Sequence, residues 1–433
     1  MISPNWPPYL EQIWHRYQTA VQPVPDPDRR CFRSVLGTVV SGRPIINNVT
    51  VGGTNGKGAV AAMLETTLLR EGISTGLFVS PHLWSVTERF RINGDDVGQN
   101  ELDKASIYVD TIVQQTCAAD PNLSWPTFFE TLVLIAWVLF SEMGVQVAIW
   151  EAGIGGGKDS ISLISATVCA LVSVSLDHTR FLGNSVSEIA AEKARLAPSG
   201  VPMVLGLLDS EADEAATTEL RRRNCPVIRP VFDIETAGSP SSDGQRFRCG
   251  NTTFKLPLLG AHQAGNISVV RSLYQTLQSG IELPEFDFLH LSHTRWPGRT
   301  EWISGRPSFF IDVAHNPDAF VKIGAIVASL APFQSIIVLF GASLGRDHPR
   351  CDHLARTLGA EIRFVEGFYR AAPTTTWITG ETDGAVCYVT PSEAVYHLQS
   401  SPSDQEKLVV VVGSAFLAGA IRHVLRGSAE TDK

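Results

Sequence analysis

A lysine closes a short glycine turn at Gly53-Thr54-Asn55-Gly56-Lys57-Gly58. The turn lies between an apolar run (Ile45, Ile46, Val49, Val51) and a stretch with helical spacing (Ala61, Met63, Leu64, Leu68, Leu69). A strand, a tight glycine loop and a helix N-terminus together aim backbone N–H groups at the phosphates of a nucleotide. Lys57 then reaches the terminal phosphates. The spacing is Gly-x-x-Gly-Lys-Gly rather than the full Walker pattern, and Gly58 and Ala59 leave no hydroxyl after the lysine to meet Mg²⁺. Taken alone, the same residues also describe a glycine-rich βα turn with a solvated lysine.

Further polar residues stand at the ends of apolar runs. Ser80-Pro81-His82 follows Thr75–Val79, Glu151 closes Val145–Trp150, and Asp177-His178 follows Thr167–Leu176. In an open parallel sheet, ligands gather at the carboxyl ends of the strands. Ser80, Glu151 and His178 are therefore candidate ligands of a nucleotide-bound Mg²⁺, which would need oxygen or imidazole ligands there. A packed or hydrogen-bonded histidine is the other reading of His178. Lys193 lies in Glu188-Ile189-Ala190-Ala191-Glu192-Lys193-Ala194, where helical spacing makes it a solvated lysine near Glu188 or Glu192. In Asp312-Val313-Ala314-His315-Asn316-Pro317, Asp312 and His315 are either a functional pair or the lead-in to a helix capped by Asn316. Trp296-Pro297-Gly298-Arg299 is either a plain turn or a junction that lets Arg299 clamp a phosphate.

Positioning these groups calls for a large α/β scaffold. Apolar runs alternate with helical periods almost to the end of the chain. Strands are predicted over 49–52, 75–80, 145–151, 167–176 and 201–207, and helices over 128–143, 185–197 and 260–280. Residues 237–250 read as a polar turn leading into a β-hairpin. Residues 284–297 lack a clean period, which places a boundary near 296 and predicts two domains, 1–295 and 296–433. In the second, strands are expected at 308–313, 335–340 and 408–413, with helices at 317–330 and 415–426.

With 433 residues, 44% of them hydrophobic and 18% charged, the chain is a foldable multidomain protein. A net charge of −9 argues against a nucleic-acid-binding face. Seven scattered cysteines without a C-x-x-C pair fit reduced thiols in a cytoplasmic protein. No secretory leader and no apolar run of membrane-spanning length is visible, so no membrane partner is expected.

The ordered set of motifs resembles the folylpolyglutamate synthase/dihydrofolate synthase family, a branch of the ATP-dependent Mur ligases. The matching blocks include the Gly53–Gly58 turn, Ser80-Pro81-His82-Leu83 with Glu88–Gly94, Phe128-Phe129-Glu130, and Glu151-Ala152-Gly153-Ile154-Gly155-Gly156. They continue through Leu176-Asp177-His178-Thr179 with Phe181-Leu182-Gly183, Glu192-Lys193-Ala194, and His262-Gln263 with Asn266. Trp296-Pro297-Gly298-Arg299, Asp312–Pro317 and Gly413-Ser414 complete the set. The resemblance implies a P-loop ATPase-like domain with a mostly parallel sheet and a smaller, Rossmann-like α/β domain that binds glutamate. It also implies a monomer using ATP and Mg²⁺ to join L-glutamate to a folate or pteroate carboxylate through an acyl phosphate.

By position, Gly53, Thr54, Asn55, Gly56, Lys57 and Gly58 would hold the phosphates, and Ser80, Glu151 and His178 the metal. Gln263 and Asn266 would face the base, with Arg299 and Asp312 toward phosphates and ribose. Lys193 matches a lysine that is carbamylated in the family, and Lys57, Lys193 and His315 would serve the chemistry. His82, Phe128, His315 and Ser414 would meet the substrates. The chain departs from the family at Ala59, where serine is usual, and at Gly157-Lys158-Asp159, where Arg-Leu-Asp is usual. Arg180, Asn184 and Gly345-Arg346-Asp347 depart as well. These changes leave two alternatives beside a folate enzyme: a ligase for a non-folate acid, or a catalytically weakened nucleotide-binding relative.

Overall fold

The computed structural model describes residues 6–19, 28–41, 45, 47–120, 122–330, 335–344, 348–359, 361–374 and 386–430. Its first layer system is an eight-stranded sheet. The strands are β1 (Asn47–Gly52), β2 (Thr75–Phe78), β3 (Phe90–Ile92), β4 (Asp95–Asp96), β5 (Val147–Glu151), β6 (Val168–Leu171), β7 (Met203–Leu205) and β8 (Val227–Ile228). They lie in the order β4-β3-β2-β5-β1-β6-β7-β8. All pairings are parallel except β2–β3 and β3–β4.

The period-two geometry of a strand sends alternate residues to opposite faces. In β5, Val147 and Ile149 join a core with the helix Lys57–Arg70 and the helix Gln263–Leu277. Ala148 and Trp150 enter a second core on the other face, with the helix Phe128–Glu142 and the N-terminal helices. Both faces are covered, so the central strands read as near-continuous apolar runs.

A three-stranded antiparallel sheet follows: β9 (Ile234–Thr236), β10 (Gln245–Cys249) and β11 (Thr252–Leu256), in the order β11-β10-β9. The predicted hairpin is thus present and gains β9 as a third strand.

A six-stranded sheet is built from β12 (Glu301–Ile303), β13 (Ser308–Ile311), β14 (Ile336–Phe340), β15 (Glu361–Val365), β16 (Cys387–Tyr388) and β17 (Leu408–Val412). Its order is β12-β13-β17-β14-β15-β16, with only β12 antiparallel. Helices Pro317–Ser329 and Ala415–Glu430 start just beyond β13 and β17. The molecule is therefore α/β, with a large, mostly parallel sheet and a second sheet unit. The predicted strands 167–176 and 201–207 shorten to four and three residues, because the chain leaves the sheet to form the loops that carry the site.

The helix Ala415–Glu430 ties the second unit to the first. A Cβ on Gly419 would stand 2.2 Å from Leu83 O, so only glycine allows this helix to lie on the loop after Ser80. Trp84 stacks on His423 at 4.0 Å beside it. Among the described residues no helix is long and apolar enough to cross a membrane.

Candidate active site

The glycine turn leaves β1 and enters the helix Lys57–Arg70 through Gly56, which has φ 85° and caps without a side-chain hydrogen bond. The first-turn amides are thus left to an outside acceptor, the usual arrangement for an anion. Gly53 has φ 143°, and a Cβ there would stand 3.1 Å from both Ser173 N and Ser173 O, so any side chain at this position would strain the turn. Thr54 anchors the turn: its N–H donates to Ser173 O at 2.8 Å, and its hydroxyl receives Ser175 N at 3.1 Å. Lys57 Nζ donates to Gly53 O at 3.1 Å and to Thr54 O at 3.2 Å.

Around the turn the strand ends converge as expected. Glu151, only 5% exposed, accepts the Ser80 N–H at 3.1 Å. Burial pushes its carboxyl up, opposed by the positive charges of Lys57, Arg299 and Arg89. His178 adopts the left-handed conformation at φ 51°, and its backbone N–H donates to Asp177 Oδ1 at 2.8 Å. Ser80, Glu151, His178 and Lys193 all line one cavity of about 490 Å³ together with the glycine turn. Among the described residues, no group of three or more His, Cys, Asp or Glu side chains could hold a metal by itself.

Lys193 corrects the reading from spacing alone. It is 4% exposed rather than solvated, and its Nζ donates to Gly53 O at 3.0 Å. Glu192 is engaged elsewhere, with Arg195 Nη1 at 3.1 Å and the Lys158 N–H at 2.8 Å. Burial, reinforced by Lys57, lowers the Lys193 ammonium to about 7.

The second sheet unit supplies the facing wall. Arg299, Asp312 and His315 line the same cavity. Each Asp312 oxygen takes a backbone N–H, from Thr300 and from Ala314, both at 2.8 Å. His315 Nδ1 donates to Val313 O at 2.8 Å, which fixes the Nδ1–H tautomer when the ring is neutral. Asn316 caps its helix by accepting Ala319 N at 3.0 Å. Gln263 and Asn266 are buried on the far side of the turn, where Asn266 Nδ2 donates to Gln263 Oε1 at 2.8 Å.

A second, larger cavity of about 1200 Å³ adjoins the first. Ser80, His178, Arg299 and His315 belong to both. Ser414 lines it and contacts Ser343 Oγ at 2.6 Å. Two expected substrate contacts are absent from both linings. His82, 2% exposed, accepts from Arg89 Nε at 2.9 Å and packs edge-on against Phe416, so Arg89 and Phe416 stand at the wall in its place. Phe128 packs on Trp6 and Trp14, and its neighbour Phe129 faces the cavity, because successive helix residues diverge by about 100°.

Sequence reasoning also missed the bridge between the two units. Asn55 Nδ2 donates to Asp318 Oδ2 at 2.8 Å, and Asn316 Nδ2 donates back to Asn55 Oδ1 at 3.0 Å. Both asparagines belong to singled-out motifs, but nothing in their spacing reveals that they meet. Of the departures, Ala59 lines the smaller cavity beside the glycine turn, while Lys158 and Arg180 line the larger one. Gly345-Arg346-Asp347 lies outside the described residues.

No protein-family model matches the chain. It is 31% identical over 417 residues to a probable bifunctional folylpolyglutamate synthase/dihydropteroate synthase of Halobacterium salinarum, covering 89% of this chain and 48% of that protein. It is 28% identical over 405 residues to folylpolyglutamate synthase of Lacticaseibacillus casei, covering 88% and 90% respectively. The chain belongs to the folylpolyglutamate synthase/dihydrofolate synthase family. It spans about half the length of the Halobacterium salinarum relative, and most of the Lacticaseibacillus casei one. The same fold is found in Mycobacterium tuberculosis folylpolyglutamate synthase complexed with ADP, at 23% identity and a TM-score of 0.84 over 96% of this chain and 98% of that one. In this family member, then, the strand-end cluster and the two adjoining cavities sit on a scaffold shared with nucleotide-bound relatives.

Proposed function

We propose that the chain is an ATP-dependent ligase that joins L-glutamate to a carboxylate of a folate or pteroate derivative. The observation that carries this reading is the pair of adjoining cavities. One is bounded by the glycine turn with Lys57 and the buried Lys193, the other by aromatic and basic groups, and Arg299 and His315 stand in both. A phosphoryl group from ATP bound in the first could pass to a carboxylate held in the second, and the acyl phosphate would then meet glutamate beside His315 and Ser414. Such chemistry needs positioning and charge neutralisation rather than a nucleophilic side chain. Among relatives, solved structures carry ADP, DHPP, or AMPPNP with L-glutamate and Mn.

Lys57 would neutralise the terminal phosphates, and the glycine turn would hold them through backbone N–H groups. Gln263 and Asn266 would bound the base, with Asp312 holding the Arg299 loop in place. The donor set fits a hard cation: a buried Glu151 carboxylate with Ser80 and His178 on the same wall, oxygen-rich once phosphates contribute. Mg²⁺ held there would supply charge neutralisation at the transferred phosphoryl group. Lys193, held near neutrality by burial, is suited to carbamylation by dissolved CO₂, which would turn its amine into a carboxylate beside Gly53. The reading includes two domains, 1–295 and 296–433, in a monomeric cytoplasmic enzyme that acts on small molecules and on neither nucleic acid nor membrane.

A second reading, a non-folate acid as acceptor, is favoured by Lys158 and Arg180 in the lining of the larger cavity, where the family pattern differs. The deciding experiment is phosphate release from ATP with L-glutamate present, screened over dihydropteroate, tetrahydrofolate and unrelated carboxylic acids. Glutamate-dependent turnover with a pterin acceptor supports the first reading. Turnover confined to other acids supports the second, and none at all refutes both.

A further inference from the structure

We propose that Cys31 and Cys117 form a reversible dithiol/disulfide site that staples two walls of the larger cavity. Their Sγ atoms stand 3.3 Å apart, across a sequence separation of 86 residues. Cys31 lies in the first turn of the helix Arg30–Ser41, and Cys117 in the last turn of the helix Gln99–Ala119. A disulfide bond measures about 2.05 Å, so closure requires the sulfurs to approach by roughly 1 Å. Side-chain rotation and slight helix shifts supply such a movement, because both residues sit at helix ends. Arg30 already ties the two segments, donating from Nη2 to Asn122 O at 3.1 Å.

The exposures suit an ordered two-step exchange. Cys117 is partly accessible and Cys31 is 1% exposed, so a small-molecule disulfide meets Cys117 first. The Cys117 thiolate attacks one sulfur of that disulfide, forming a mixed disulfide and releasing one thiolate. Cys31, losing its proton, then attacks Cys117 Sγ and expels the second thiolate. The protein loses two hydrogens and two electrons, and the small disulfide becomes two thiols.

The location gives the bond a consequence. The helix of Cys31 contributes Phe32 and Arg33 to the cavity wall, and the segment after the helix of Cys117 contributes Trp125 and Thr127. Oxidation therefore fixes one wall against the other without touching the glycine turn. Closing so long a loop also restricts the unfolded chain, which raises Tm by several degrees.

The test uses the full chain treated with oxidised glutathione and then mapped by peptide mass spectrometry without reduction. A peptide pair joining Cys31 to Cys117, a higher Tm, and reversal of both by dithiothreitol are expected. Cys31→Ala should instead accumulate a glutathione adduct on Cys117, since the resolving thiol is gone, and Cys117→Ser should form neither bond nor adduct at Cys31. A wild-type chain that stops at the Cys117 adduct, or that links other cysteines and leaves these two reduced, would overturn the proposal. These readouts do not depend on activity, so they stand apart from the ligase reading.

Discussion

Replacing Lys193 by methionine should stabilise the fold near neutral pH while abolishing turnover. The ammonium is 4% exposed and is lowered to about 7, against about 10.4 for a lysine in an unfolded chain. Between those values the unfolded wild type holds roughly one more proton than the folded one. Wild-type stability therefore rises with pH across this window, is fully relieved above about 10.4, and is most reduced below about 7. At 1.36 kcal/mol per unit, retaining Lys193 costs about 4 kcal/mol at pH 7 and about 2 kcal/mol at pH 9. Methionine removes that penalty and fills a similar volume, but it forfeits the hydrogen bond to Gly53 O, worth about 1 kcal/mol.

Urea denaturation of both proteins in CO₂-depleted buffer at pH 7, 8 and 9 measures the difference directly, since all other titrations cancel. The advantage of Lys193→Met should shrink by about 2 kcal/mol from pH 7 to pH 9. Added bicarbonate should stabilise only the wild type, because at pH 8 about 90% of an amine with this pKa is neutral and open to carbamylation, against about 0.4% for an ordinary lysine. A stability difference that stays flat with pH would refute the account of a strained buried amine.

Lys57→Ala should reduce turnover by about a hundredfold or more while leaving Tm nearly unchanged, because glycines shape the turn and the lysine supplies charge; steady-state kinetics and thermal melting check this. Glu151→Gln should raise the Mg²⁺ concentration for half-maximal activity steeply, whereas Ala59→Ser should shift it only modestly, as a metal titration of the rate would show. The two neighbouring phenylalanines should separate cleanly. Phe129→Ala should raise the acceptor KM by about tenfold, whereas Phe128→Ala, which loses its packing on Trp6 and Trp14, should lower stability by about 2 kcal/mol and leave that KM unchanged.

What was legible in the sequence were the elements whose signals are local. The strand ends at Glu151 and Gly52 fall where the apolar runs stop, and the capping Asn316 before Pro317 starts its helix as read. The helix Gln99–Ala119 drew no expectation, although its buried positions Leu102, Ala105, Ser106, Val109 and Val113 keep a helical period. Ser106 and the surrounding polar residues dilute that period, and the helix gains its stability from packing on its neighbours. His82 failed for a related reason. Its motif shows that the loop is special, but whether the ring or Arg89 faces the cavity depends on Trp6 and Phe416, which lie far away in the chain.

Lys193 marks the boundary between what local pattern can and cannot reveal. Its own helix offers Glu188 and Glu192, and isolated helix spacing favours a surface pair. The decisive information lies in another motif. A Cβ on Gly156 would stand 2.2 Å from Glu192 O and 2.7 Å from Lys193 Cα, so that glycine lets the loop after β5 rest directly on the helix backbone. A Cβ on Gly52 would meet Leu196 at 2.7 Å, bringing the same segment onto the end of β1. Held from both sides, the helix turns Lys193 inward to Gly53 rather than outward to water. The glycines were visible as motif residues, but what they enforce is a close approach between segments, and only the folded chain displays it. A side chain at position 156 would push the helix away and release Lys193 from Gly53, so the burial that lowers its pKa belongs as much to that glycine as to the lysine.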